Sequence, residues 1–172
     1  GGMCQGATEA QEGTHFVGPS GGLLQRILKS LSYDLSRDFW KTNAIRCRPL
    51  SKKKTSSRAK VREPSTAEIN ACRSKLFKSI HKRKPKIVIP LGKHAVIALI
   101  GDYINDITIP KFSCLFIPIS EHNFYIAPTI HPSFVLHTDD YYSYATLHRD
   151  IKETLSLLKY IPDGHTVESL DI

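Results

Sequence analysis

The sequence predicts an α/β fold: a parallel sheet covered by helices on both faces. Three observations carry this expectation. Leu23, Leu24, Ile27, Leu28 and Leu31 recur at helical spacing after Ser20. Residues 86–100 read as strand, glycine turn and helix (KIVIPL, Gly92, KHAVIALI). A long helix from about Asp139 to Tyr160 carries the apolar stripe Tyr144, Leu147, Ile151, Leu155 and Leu158.

The elements follow in order. Residues 1–19 are glycine-rich and read as a loop, followed by the helix opened by Ser20. Residues 38–46 (DFWKTNAIR) read as a buried strand, and the Lys/Ser-rich stretch 51–63 as a loop. Pro64, Ser65 and Thr66 with Glu68 form a capping signature for a second helix through about His81, burying Ile69, Cys72, Leu76 and Ile80. Two further strands are expected at 113–119 and 123–128, with Glu121 and His122 in their turn. The segment Phe134, Val135, Leu136 reads as an unusually apolar loop. In a fold of this kind a loop such as 1–19 leaves the end of a buried strand. The first strand is therefore either missing from the chain or supplied by another segment.

At 172 residues the chain has the size of one domain, expected over 1–162 with a basic insertion at about 50–63 and a tail over 163–172. The composition is 41% hydrophobic and 23% charged, which argues against disorder. The longest apolar runs are too short to cross a bilayer, and no secretory signal opens the chain, so an intracellular protein without membrane contact is expected. Four scattered cysteines point to free thiols or a metal centre rather than a disulfide framework. The net charge is +8, yet 15 Lys/Arg against two acids fall between Arg46 and Lys86, leaving the rest acidic. Such a segment attracts a polyanion, most simply nucleic acid, or it is a solubilising surface.

Five stretches carry a resemblance: 1–24 (GGMCQGATEAQEGTHFVGPSGGLL), 42–49 (TNAIRCRP), 64–76, 84–95 and 129–134 (TIHPSF). In this order they resemble the motifs of uracil-DNA glycosylases, closest to the family 4, iron–sulfur type. The resemblance implies a three-layer α/β/α fold with a four-stranded, mainly parallel central sheet. It also implies excision of uracil from DNA to leave an abasic site.

Acting on a base requires extruding it, stacking it and reading its polar edge. By the resemblance, Phe16 stacks on the base and Asn43 pairs with N3–H and O4 of uracil. Gly2 and Met3 line the pocket, and His131 donates to O2 as the glycosidic bond breaks. Taken alone, Phe16 reads equally as a core residue, Asn43 as a turn or cap, and His131 as a loop residue. Ser20 and Gly21 at a helix start can hold a phosphate, with Ser20 as a simple N-cap the competing reading. The resemblance places Ser133 and Val135 against DNA, with Val135 as a wedge between base steps. Lys52, Lys53 and Lys54 suggest backbone contact.

Two departures stand out. The family's first motif reads Gly-Glu-Ala-Pro-Gly, whereas here Met3 takes the place of the Glu; Glu9 lies close enough to help place the attacking water. The family's [4Fe–4S] cluster takes four thiolates, of which Cys47 and Cys72 match two and the N-terminal pair has no counterpart. These departures leave an alternative: a catalytically weak or inactive domain that binds nucleic acid or serves a larger assembly. RNA binding through the basic segment alone is a third reading.

Overall fold

A computed structural model describes residues 18–45, 62–101 and 113–167 of the chain. The first helix, α1 (Pro19–Ser30), starts from Gly18 with Pro19 already holding the φ of a first turn. Leu23, Leu24, Ile27 and Leu28 are buried along one stripe. Ser20 lies inside the first turn rather than at the N-cap, and no side chain caps this helix. After α1 the chain is held by side chains: Gln25 donates to Asp34 (2.8 Å) and accepts from the Leu35 N–H (2.8 Å).

The expected strand at 38–46 does not form over its described residues; only Asn43 bridges, with no ladder around it. A strand needs a neighbour at hydrogen-bonding distance. Thr42 and Ala44 line a cavity of about 370 Å³ together with Ile87 and Val88, and among the described pairings no ladder joins the two segments.

Helix α2 (Thr66–Arg83) opens on the capping box read from the sequence: Ser65 accepts from the Glu68 N–H and Glu68 reaches back to the Ser65 N–H. Arg62 grips the same carboxylate through two nitrogens, at 2.6 and 2.8 Å. The helix ends at Lys84, which adopts a left-handed φ of 48°. Ile69, Leu76 and Ile80 are buried, whereas Cys72 is only half-buried.

Strand β1 (Ile87–Val88) turns through Gly92 into α3 (Lys93–Ile100). Strands β2 (Ile117–Ile119) and β3 (Phe124–Ile126) flank a single 3-10 turn, Ser120–His122. The order is β1-β3-β2, with β1 parallel and β2 antiparallel to β3. The described sheet is thus three-stranded and mixed, not four-stranded and mainly parallel. The physical reason lies in the link from β2 to β3, which is far too short for a parallel crossover. The α/β class stands.

Helix α4 (Pro132–Thr138) replaces the apolar loop expected there. Pro132 supplies the first-turn φ, and Asp139 ends the helix at φ 49°. Asp140 then caps α5 (Tyr141–Leu158), accepting from the Ser143 N–H at 2.8 Å and hydroxyl at 2.6 Å.

Neighbouring β1-strand residues point to opposite faces, and two cores result. Val88 packs with Ile69, Leu76, Ile80 and Leu99 of α2 and α3. Ile89 packs with the other core, formed by Leu24, Ile27, Leu147 and Ile151 of α1 and α5. The sheet therefore lies between two helical layers. Packing also continues beyond the expected boundary at 162: Lys86 pairs with Asp163 (2.7 Å), and the buried Val167 donates its N–H to Asn123 (2.8 Å).

Candidate active site

Asn43 is the most informative side chain of the site. It is 3% exposed, and its Nδ2 has no hydrogen-bond partner among the described residues. Burying an amide N–H without a partner costs roughly 1–3 kcal/mol, so proteins avoid it unless a ligand completes the group.

His131 is the N-cap of α4, at the carboxyl end of the β3 direction, where α/β folds place their sites. Its Nδ1 accepts from the Ser133 N–H (3.0 Å) and lies 2.7 Å from the Ser133 hydroxyl. A backbone N–H can only donate, so Nδ1 is the acceptor and the ring proton sits on Nε2. Ser133, expected against DNA, is exposed and hydrogen-bonded to His131.

Three residues missed by sequence reasoning fix this histidine. Gly92 adopts φ +82°, ψ 165°, and a Cβ built there would sit 3.1 Å from the Cβ of His131. Its N–H donates to the Thr129 carbonyl (2.8 Å). Thr129 is 1% exposed and gives its hydroxyl to Asp150 (2.6 Å). Asp150, also buried, accepts from Ser113 (2.7 Å), from Cys114 Sγ (3.1 Å) and from Arg149 (3.0 Å). These bonds tie α5 to the strand end that leads into His131. A signal existed in the sequence: Asp150 is an acid on the buried stripe of Leu147, Ile151 and Thr154.

Val135 is turned inward. It is 6% exposed and packs with Leu23, Leu24 and Ile27, because α4 directs this position at α1. The wedge reading of Val135 is corrected accordingly; α4 presents Phe134 (51% exposed) and Leu136 (42%) outward instead. Gly21 is buried and Ser20 half-buried, and the backbone N–H groups of this uncapped first turn carry the positive end of the helix dipole.

The expectations for Gly2, Met3, Glu9, Phe16, Cys47, Lys52, Lys53 and Lys54 lie outside the described residues. Cys72 and Cys114 are free thiols, and no group of three or more metal-ligating side chains occurs among the described residues. Burial, and then the Asp150 carboxylate, push the Cys114 thiol up, opposing a thiolate. Of the two cysteines that match the family's cluster ligands, Cys72 is described and half-buried, and Cys47 lies outside the described residues. No described helix is long and apolar enough to cross a membrane.

Residues 2–154 match the family model described as the uracil DNA glycosylase superfamily. A protein of Sulfurisphaera tokodaii named type-4 uracil-DNA glycosylase is 31% identical over 140 residues, covering 79% of this chain and 59% of its own length. One of the same name from Pyrobaculum aerophilum is 30% identical over 138 residues, 78% of this chain and 65% of that protein. Another from Saccharolobus solfataricus is 34% identical over 94 residues, 55% of this chain and 39% of its own. The chain thus spans less than two thirds of the length of each of these relatives. With the family match running over most of its length, the chain belongs to the uracil DNA glycosylase superfamily.

Proposed function

We propose that the chain is a uracil-DNA glycosylase, cleaving the N-glycosidic bond of uracil in DNA to give free uracil and an abasic site. The observation that carries this reading is the buried Asn43 amide, whose Nδ2 has no described partner. An extruded uracil completes it: Nδ2–H donates to O4, and Oδ1 accepts from N3–H.

His131 acts on the opposite edge of the base. As the bond from C1′ to N1 breaks, its electron pair passes into the uracil ring and negative charge collects at O2. The Nε2–H of His131 donates to that oxygen, its tautomer set by the Ser133 N–H on the other nitrogen. A water molecule adds to C1′ and gives up its proton to solvent, and uracil leaves as the anion, which takes a proton from solvent to give free uracil. Glu9 helps place the water, Phe16 stacks on the base, and Gly2 and Met3 close the pocket. On the DNA side, the amide groups of Ser20 and Gly21 hold a phosphate, Phe134 and Leu136 contact the bases, and Lys52, Lys53 and Lys54 bind the backbone.

Met3, standing where the family has Glu, favours a second reading: a weak or inactive domain retained for binding nucleic acid. Single-turnover uracil release from a single-stranded oligonucleotide separates the two. The wild type is expected to release uracil. His131→Ala is expected to release it about a hundredfold more slowly, the usual effect of removing one oxyanion donor. Asn43→Ala removes two hydrogen bonds of about 1 kcal/mol each and is expected to cost about thirtyfold. A folded wild type that binds the oligonucleotide but releases nothing establishes the binding reading. Release unaffected by either substitution overturns both residue roles.

A further inference from the structure

Two histidines meet at the end of the sheet opposite His131. His81 stands in the last turn of α2, and His122 closes the 3-10 turn that joins β2 to β3. They are 41 residues apart in sequence, yet Nε2 of His81 lies 3.2 Å from Nδ1 of His122. His131 follows the other end of β3, so this pair is separate from the active site.

Aromatic neighbours hold the His122 ring. Its centre is 4.2 Å from that of Phe77 on α2, and its plane lies within 15° of Phe124, 6.1 Å away on β3. His122 is half-buried by these contacts, whereas His81 is exposed. Both rings line a cavity of about 590 Å³, which gives water access to the pair.

The spacing is more specific than a hydrogen bond requires. Two rings joined end to end by a straight bond of this length would have their centres about 5.5 Å apart. Here the centres are 5.0 Å apart and the planes are inclined at 54°, so the approach is bent. A metal ion about 2.0–2.1 Å from each of two imidazole nitrogens, at an angle near tetrahedral, sets those nitrogens about 3.1–3.4 Å apart. It sets the ring centres about 4.8–5.3 Å apart. Both observed separations fall inside these ranges.

We propose that His81 and His122 bind a divalent late transition-metal ion such as Zn²⁺, through Nε2 and Nδ1 respectively. Imidazole suits zinc, copper and nickel, whereas magnesium and calcium take oxygen ligands. Water fills the remaining positions, since no third His, Cys, Asp or Glu completes the group among the described residues. Without the ion, one ring donates its N–H to the other. On binding, that ring takes its other tautomer, so both facing nitrogens present lone pairs and no proton is lost.

The ion replaces one hydrogen bond by two coordinate bonds and ties the last turn of α2 to the turn between β2 and β3. Its place is structural. The charges around His122 oppose one another: Glu121 favours positive charge there and Arg73 opposes it. Arg73 is itself held by the Leu99 carbonyl at 3.1 Å and lies over the Phe77 ring. Cys72, the described thiol on the same helix, precedes His81 by nine residues, about 13 Å along the axis, and is out of reach of the ion.

The test follows the imidazole nitrogens of the full chain, ¹⁵N-labelled at histidine, during a Zn²⁺ titration. Nε2 of His81 and Nδ1 of His122 are expected to shift together with one midpoint, and Tm to rise by about 5 °C at saturation. Mg²⁺ at the same concentrations is expected to do neither. His81→Ala is expected to weaken Zn²⁺ binding at His122 at least about tenfold. His122→Phe, which keeps a ring beside Phe77, is expected to do the same at His81. Cys72→Ser is expected to leave the midpoint unchanged. His81→Ala is expected to release uracil as the wild type does, so the outcome is independent of the proposed activity. Nitrogens that stay unmoved in millimolar Zn²⁺ overturn the proposal. So does a midpoint that survives His81→Ala, or one that is lost in Cys72→Ser. Because His81 is exposed, its substitution decides the matter even where His122→Phe fails to fold.

Discussion

Gly92→Ala tests how the fold sets the active site. At φ +82°, ψ 165°, Gly92 occupies a backbone region that other residues enter at a cost of about 1–3 kcal/mol. The new methyl group would also meet the Cβ of His131 at 3.1 Å, inside the ordinary carbon–carbon contact distance of about 3.5 Å. The imidazole must then move by a few tenths of an ångström. Strain and contact together amount to about 2 kcal/mol, or a fall in Tm of roughly 4–8 °C for a domain of this size. Gly164→Ala is the control: its φ is +75°, but nothing lies within 4 Å of the added carbon. Urea unfolding should show a lower midpoint at unchanged slope for Gly92→Ala, and a smaller shift for Gly164→Ala. Single-turnover uracil release should fall about tenfold in the first and stay unchanged in the second. Stability within 0.5 kcal/mol of wild type, with normal release, would falsify the claim that Gly92 sets the position of His131.

Asp150→Asn keeps the shape but loses the ionised acceptor of Thr129 and Ser113; a loss of about 2–3 kcal/mol is expected in urea unfolding, with slower release from the displaced His131. Wild-type stability in this variant would contradict the role given to the carboxylate. The Ser143 hydroxyl, and then its N–H, hold Asp140 down to about 2, below an unfolded value near 3.9. Its contribution is therefore fully present above about pH 4 and is lost as the pH falls toward 2, so Asp140→Asn should flatten the fall of Tm across that window. Val135→Ala should cost about 2 kcal/mol of stability through two lost buried methyl groups, whereas Phe134→Ala should spare stability and weaken DNA binding. Replacing Lys52, Lys53 and Lys54 by Ala should reduce the salt dependence of single-strand binding by about 2 in log–log slope.

The helices were legible because their signals are local. The Ser65–Glu68 capping box and the stripe of Leu147, Ile151 and Leu155 require nothing beyond neighbouring turns. The strand expected at 38–46 does not appear over its described residues because a strand is defined by its partner, and among the described residues none pairs with it in a ladder. Helix α4 was read as a loop because Pro132 and the short run to Thr138 hide a helix of two turns. The readings of Asn43 and His131 rest on motif resemblance, since neither burial nor an unpartnered amide is written in a linear sequence. Gly92 and Asp150 escaped notice for a related reason: one acts by what its missing side chain leaves room for, the other by bonds to residues 21 and more positions away.

The central claim is that the buried amide of Asn43 awaits a uracil. The most direct measurement is a uracil titration of the ¹⁵N-labelled chain, following the Asn43 side-chain NH₂ resonances. The account predicts a saturable shift of both resonances, with slower exchange of one amide proton with water. The shift should persist in His131→Ala and be absent with adenine. Uracil binding that leaves the Asn43 amide unmoved, or a shift equally produced by adenine, would contradict it.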